Sequence, residues 1–298
     1  MASRVTQSML NTQLIHNLNK NMVRMDRAQN QLATGRQINR PSDDPVGISY
    51  SMRYRSELSA NTQYSENVDS AISWLEHADN TANQIGNLFH SVRELAVQGA
   101  NGTNPQNALN AIASEVDQLR DQLITLGNSQ FNGKSIFNGQ MTDMTPYSKT
   151  NPAASTTDGG KIVFEIGVGV SISVNVSGNA ILGDPTDADN AFKMMDDLHA
   201  ALISGNTEGI NTALGELDTR VDKFLEVRAD IGAKVNRIEL AGDRLRDIDI
   251  NVKQLLSKTE DADMAELITK LKTDEAVYQA SLSVGSRIIQ PSLIDFLR

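Results

Sequence analysis

The 298-residue sequence contains no cysteine, so it has neither a disulfide framework nor a thiolate metal site. The same absence suits a chain that must cross a membrane unfolded without mispairing thiols. Aromatic residues make up only 4%, and Trp74 is the sole tryptophan. A compact enzyme of this length usually has more large rings to fill its interior. Few rings with many Ala, Leu, Asn and Gln suit long helices packed along their length. No apolar run approaches the roughly 20 residues of a membrane span. The opening MASRVTQSMLNTQLIHNLNK has no apolar core or cleavage site of a Sec signal peptide. The expectation is a protein that stays in the cytoplasm or leaves by another route.

Catalytic patterns are missing as well. His16, His77, His90 and His199 form no HExxH and no i, i+4 pair. There is no GxxxxGK[ST], GxGxxG or GxSxG. The expectation is no enzyme, no cofactor and no metal. The net charge of −10 argues against nucleic acid as a partner. The first 60 residues are nevertheless net basic. Either this is a solvated face, or it packs on acidic helices of the same chain or a neighbour.

What is present is periodicity. Leu14, Leu18, Met25, Ala28 and Leu32 lie at helical spacing over 5–33, interrupted by Asn11 and Asn21. A polar residue in such a seam weakens it but fixes its register. A second helix is predicted over about 46–98. Its series from Val68 to Ala96 advances by threes and fours. A third helix carries Leu109, Ile112, Val116, Leu119, Leu123 and Leu126. After Gly127 two Asn-Gly pairs signal a hairpin, and 141–160 reads as loop. From Ile162 to Val176 every even position is apolar, which predicts strand folded back near Gly167–Gly169. Helical spacing then returns. Phe224, Ile231, Ile238, Leu245 and Val252 share one heptad position. Val227, Lys234, Ala241, Ile248 and Leu255 share the other, with the Lys234 stem laid along the seam. TEDAD at 259–263 precedes a last helix bearing Leu267, Ile268, Leu271, Tyr278, Leu282 and Ile289.

The predicted fold class is therefore mainly α with a small β insertion. It is an elongated antiparallel helical bundle or coiled coil made from N- and C-terminal helices. Residues 1–42 with 258–298 form a terminal coiled-coil polymerisation domain. Residues 43–140 with 187–257 form a helical rod with a short hairpin, and 141–186 an outward-projecting β domain. The interrupted terminal stripes predict segments that order against neighbouring subunits. Leu14, Leu18, Met25, Leu32, Ile231, Ile238, Leu245, Val252, Leu282, Ile289 and Phe296 are the candidate seam and assembly residues.

Residues 34–47, TGRQINRPSDDPVG, pose the one question of chemistry, because Asp43 and Asp44 are adjacent. Neighbours on a helix point about 100° apart and do not converge on one ion. As punctuation every residue has a use. Gly35 closes the first helix in the left-handed conformation, Asp44 caps the next, and Pro45 opens it. Pro41 stiffens the connector, and Asp43 faces the positive end of the helix dipole. Arg36 and Arg40 are placed to pair with the aspartates.

These residues also carry a resemblance. LATGRQINRPSDDPVG (32–47), FNGK (131–134) and SVGSRIIQPSLIDFLR (283–298) are similar to signatures of the bacterial flagellin superfamily. Pro41, Pro45 and the ending IIQPSLIDFLR look like its hook–filament junction branch more than flagellin itself. The resemblance implies a structural adaptor exported unfolded through the flagellar type III channel to the cell exterior. Its implied partners are further copies of itself in a ring or helical layer, the preceding hook-associated junction protein, and flagellin. An export chaperone on the C-terminal region is also implied, but no membrane and no cofactor. A minor flagellin is the same-class alternative, and an enzyme or ligand-binding module on a helical stalk the remaining one.

Overall fold

A computed structural model describes residues 7–289. Along the chain it has helices α1 (Gln7–Thr34), α2 (Pro45–Ala100) and α3 (Gln106–Gly127), then strands β1 (Gln130–Phe131) and β2 (Lys134–Ser135). A 3-10 turn at Pro152–Ala154 leads to β3 (Val163–Gly167), β4 (Val170–Ser173) and α4 (Gly178–Leu182). Helices α5 (Ala191–Ser204), α6 (Thr207–Glu260) and α7 (Met264–Ile289) complete it. The chain divides into two compact units: 1–60 with 249–298, and 61–248. Both boundaries fall inside the long helices α2 and α6.

The larger unit, 61–248, holds a continuous apolar core. Ala71, Leu75, Ile85, Val92 and Ala96 of α2, and Leu217, Phe224, Ile231 and Ile238 of α6, are all almost wholly buried. Phe89 and Phe224 meet edge to face at 5.8 Å. Gly86 permits that approach, since a Cβ there would stand 3.1 Å from the Phe224 ring. Helix α3 packs on α5, and Leu109, Ile112, Val116 and Leu123, positions its heptad spacing selects, are buried. Asn190 caps α5 by accepting from the Phe192 and Lys193 amides, and Gly205 ends it in the left-handed region.

The first Asn-Gly pair makes the predicted hairpin. Asn132 and Gly133 both have positive φ, 51° and 75°, as a type I′ turn requires. β3 and β4 form the second antiparallel hairpin around Val168–Gly169. Its inner face carries Ile166 and Ile172, continued by Val174 and Val176, and these join the core. One face of the insertion thus belongs to the larger unit's core. The five-residue α4 was not anticipated, being too short to show a period. Nor was Arg220, which is 2% exposed and grips the loop before α5. Its guanidinium donates to the Asp189 carbonyl at 2.8 Å and pairs with the Asp189 carboxylate at 2.7 Å.

In the smaller unit α1 pairs with α7. The α1 seam is Asn11, Leu14, Leu18, Asn21, Met25, Ala28 and Leu32, alternating steps of three and four. The α7 seam is Leu267, Leu271, Asp274, Tyr278, Ser281 and Gly285. A Cβ on Gly285 would stand 2.7 Å from Leu14, so the helices touch closely there.

Candidate functional site: the paired turns and the terminal helices

Thr34 ends α1, and Gly35 follows at φ 68°. Asp44 caps α2: its Oδ1 accepts from the Val46 amide at 3.0 Å and its carbonyl from Ile48. Pro45 is the first residue of α2, while Pro41 and Arg40 lie exposed in the turn. Asp43 folds back on the connector rather than toward the helix end. Its Oδ2 accepts from the backbone amides of Asn39 (3.2 Å) and Arg40 (2.9 Å). Burial acts to raise the Asp43 pKa. The two amides and the Arg27 and Arg40 charges outweigh it and hold the carboxyl below the ordinary value of 3.8. Gly47 was quoted in the signature but given no role. A Cβ there would collide with the Asp44 carboxylate and the Ile38 side chain.

The expected pairing of Arg36 with the aspartates is corrected. Asp43 meets Arg27 at 3.3 Å, and Arg36 reaches Glu260, with Nε 2.8 Å from Oε1. The reason lies in the backbone. Gln37 N donates to the Glu260 carbonyl (2.7 Å) and Ala262 N to the Gly35 carbonyl (3.0 Å). Arg36 and Asp261 thereby form an isolated antiparallel bridge. The turn after α1 and the turn before α7 are one joint. Glu260, 3% exposed, also accepts from Arg55 and from the Ser51 hydroxyl at 3.2 Å. Sequence reading missed Glu260 because it saw TEDAD only as an interruption. A second cap is visible there, since Asp263 accepts from the Ala265 and Glu266 amides.

Leu14, Leu18, Met25 and Leu32 are half-buried in the α1–α7 seam. Ile231, Ile238, Leu245 and Val252 are buried along α6, the last in the smaller unit. Lys234 is half-buried, its ammonium 2.8 Å from Asp230. Leu255, expected in the same heptad, is 45% exposed. Leu282 is 46% exposed, beside the α1–α7 seam, which passes through Tyr278, Ser281 and Gly285. Ile289 ends α7, but its side chain lies outside the described residues, as does Phe296.

Large apolar side chains stand in solvent all over the smaller unit. They include Met9, Ile15, Met22 and Val23 on α1, Val46, Tyr50 and Met52 on α2, and Ile268, Val277 and Val284 on α7. Among the described residues no group of three His, Asp or Glu is placed to hold a metal. No helix there is long and apolar enough to cross a membrane.

Residues 5–142 match the bacterial flagellin N-terminal helical region, and 214–297 the bacterial flagellin C-terminal helical region. The chain belongs to the bacterial flagellin family. It is a structural protein of the flagellum rather than an enzyme. It is 27% identical over 256 residues to the flagellar filament 30.7 kDa core protein of Treponema maltophilum, 85% of each chain. It is 23% identical over 300 residues to flagellar hook-associated protein 3 of Salmonella typhimurium, covering 93% of this chain and 94% of that one. Its fold is that of the hook-associated protein-3 structure from Legionella pneumophila. There the TM-score is 0.63 at 14% identity, over 70% of this chain and 98% of that one. This family member thus carries both of the family's helical regions, with the β insertion between them.

Proposed function

We propose that this chain is the structural adaptor of the hook–filament junction, the layer on which flagellin polymerises. The observation that carries an assembly role is the contrast between a finished core in 61–248 and apolar side chains left in solvent on α1, α7 and the adjoining helix ends. Scattered exposed apolar residues are ordinary, but this density on one compact unit marks a surface that other subunits cover. Pro41 and Pro45 and the ending IIQPSLIDFLR favour the junction, as does the full-length similarity to hook-associated protein 3.

In this reading the partners are further copies of the chain, the preceding hook-associated junction protein on one side and flagellin on the other. The subunit leaves the cell through the flagellar type III channel, after a cytoplasmic chaperone has held its C-terminal region. The absence of cysteine fits passage as an unfolded chain. A minor flagellin is the second reading, favoured by the similarity to filament core proteins. Electron microscopy of isolated flagella, with gold on this chain, separates the two. A narrow band at the outer end of the hook is expected. Label along the whole filament would make the chain a flagellin.

A further inference from the structure

We infer that Glu260 is the latch from which the terminal helices zip together, and hence a positioning residue for assembly. The second half of that statement rests on the assembly role proposed above.

The joint is far better satisfied than the seam it feeds. Glu260 is almost wholly buried, and its carboxylate accepts from Arg36, Arg55 and Ser51. Two backbone hydrogen bonds and the Gln31 side chain, which donates to the Gln37 carbonyl at 2.7 Å, fasten the same point. Among the described residues of this unit, the buried apolar side chains are Ala28, Ile38, Val252 and Leu267. All four belong to the joint or to the helix turns that lead into it. Farther along the seam polar layers alternate with half-buried ones such as Leu18, Leu14 and Tyr278. Asn21 and Asp274 are buried there, Asp274 has only Arg24 at 3.6 Å, and one of its oxygens accepts nothing. Asn11 lies farther out still, its oxygen also without a donor.

Pairing two helices is costly at the first contact and cheaper for each turn that follows. The joint supplies that first contact. Closing it sets the last turn of α1 beside the first turn of α7 in a single register. The weak outer seam then closes toward the chain ends as neighbouring subunits cover its apolar flanks. Without the latch the polar layers would still specify one register, but they bind weakly, so the seam would be closed for a smaller share of the time.

The absence of cysteine makes a direct test available. Arg36 and Asp261 are the non-hydrogen-bonded pair of an antiparallel bridge, a position with Cα atoms about 4.5 Å apart, within reach of a disulfide. In full-length Arg36→Cys/Asp261→Cys protein, the rate of disulfide closure under a glutathione buffer reads how often the joint is shut. The reporter pair removes Arg36, so in this background Glu260 keeps Arg55 and Ser51 as its partners. Adding Glu260→Ala removes those contacts and is expected to slow closure about tenfold, the loss of a charge-assisted contact. The melting of the larger unit, followed by circular dichroism, should not change. Equal closure rates would overturn the latch. Filament growth on isolated hook ends loaded with each protein gives the second readout. Glu260→Ala should depress it, and the oxidised double-cysteine form of Glu260→Ala should restore it. Slow closure with undiminished growth would overturn the part in assembly. Hook ends on which even the wild-type chain supports no growth would defeat the junction reading and leave the closure result standing.

Discussion

The two compact units are built from the same kind of helix and solve burial in opposite ways. In 61–248 the seam residues of α2, α3, α5 and α6 reach essentially zero exposure, and the β insertion adds a further layer. In 1–60 with 249–298 only Ala28, Ile38, Val252 and Leu267 are buried apolar residues among those described. The buried company there is Asn21, Gln31, Ser51, Glu260 and Asp274. Most of the net negative charge also lies in the larger unit. One unit is complete alone, while the other is nearly neutral, apolar outside and polar within. That is how a surface looks when its core is supplied by neighbours.

The largest effect should come from breaking the complete unit. Ile238 is fully buried on α6, so Ile238→Asp places a carboxylate in an apolar seam with no partner. The expected cost is about 4 kcal/mol or more, enough to unfold the isolated protein in a thermal melt. Wild-type melting would put that seam on the surface and erase the contrast. Next comes Arg220→Ala. It leaves Asp189, 7% exposed, with Lys223 alone at 2.9 Å. A loss of about 3 kcal/mol is expected in urea unfolding. A loss below about 1 kcal/mol would mean that water replaces the guanidinium and the loop is not locked by it.

The incomplete unit should respond the other way. Ile15 and Val23 are 59% and 68% exposed. Ile15→Asp with Val23→Asp should shift monomer stability by no more than about 0.5 kcal/mol, yet abolish filament growth on hook ends. A large drop in melting temperature would show these side chains already packed in the monomer. Undiminished growth would remove the assembly surface from this face of α1.

Much of this division is legible in the amino acids. Strict heptads at Phe224, Ile231 and Ile238 state their burial because a single period fits them. The alternation from Ile162 to Val176 does so at Ile166, Ile172, Val174 and Val176 but not at Val168 and Val170, which the hairpin turn leaves exposed. Gly35, Asp44 and Pro45 were readable because caps are local chemistry, settled within four residues. Glu260 and Arg220 were not readable. Each is a charged residue on a helix that carries many, and its burial depends on partners 31 to 224 positions away. The α7 seam itself was not readable at Ser281 and Gly285, which lie beside Leu282, because small residues leave no apolar trace. The terminal stripes looked merely interrupted, whereas the structure makes Asn21 and Asp274 working layers of one seam.

The smallest effect sharpens the comparison at the joint, where Asp43 sets burial against hydrogen bonding. Burial is the largest single influence and favours the protonated form. Together the Arg40 and Asn39 amides and the charges of Arg27 and Arg40 favour the carboxylate more. Because the folded pKa is lowered, the carboxylate stabilises the turn above pH 3.8, and that contribution fades as pH falls through the folded value. The Arg40 amide, which donates to Asp43 at 2.9 Å, should report this as a chemical-shift titration with its midpoint below 3.8. In Asp43→Asn the titration should vanish. The stability gap between the two proteins should then be widest near neutrality and close in acid. A midpoint above 3.8 would mean that burial wins and the connector is held by something other than this carboxylate. The turn would then resemble the larger unit, held by packing, and the contrast would have to be drawn at the seam alone.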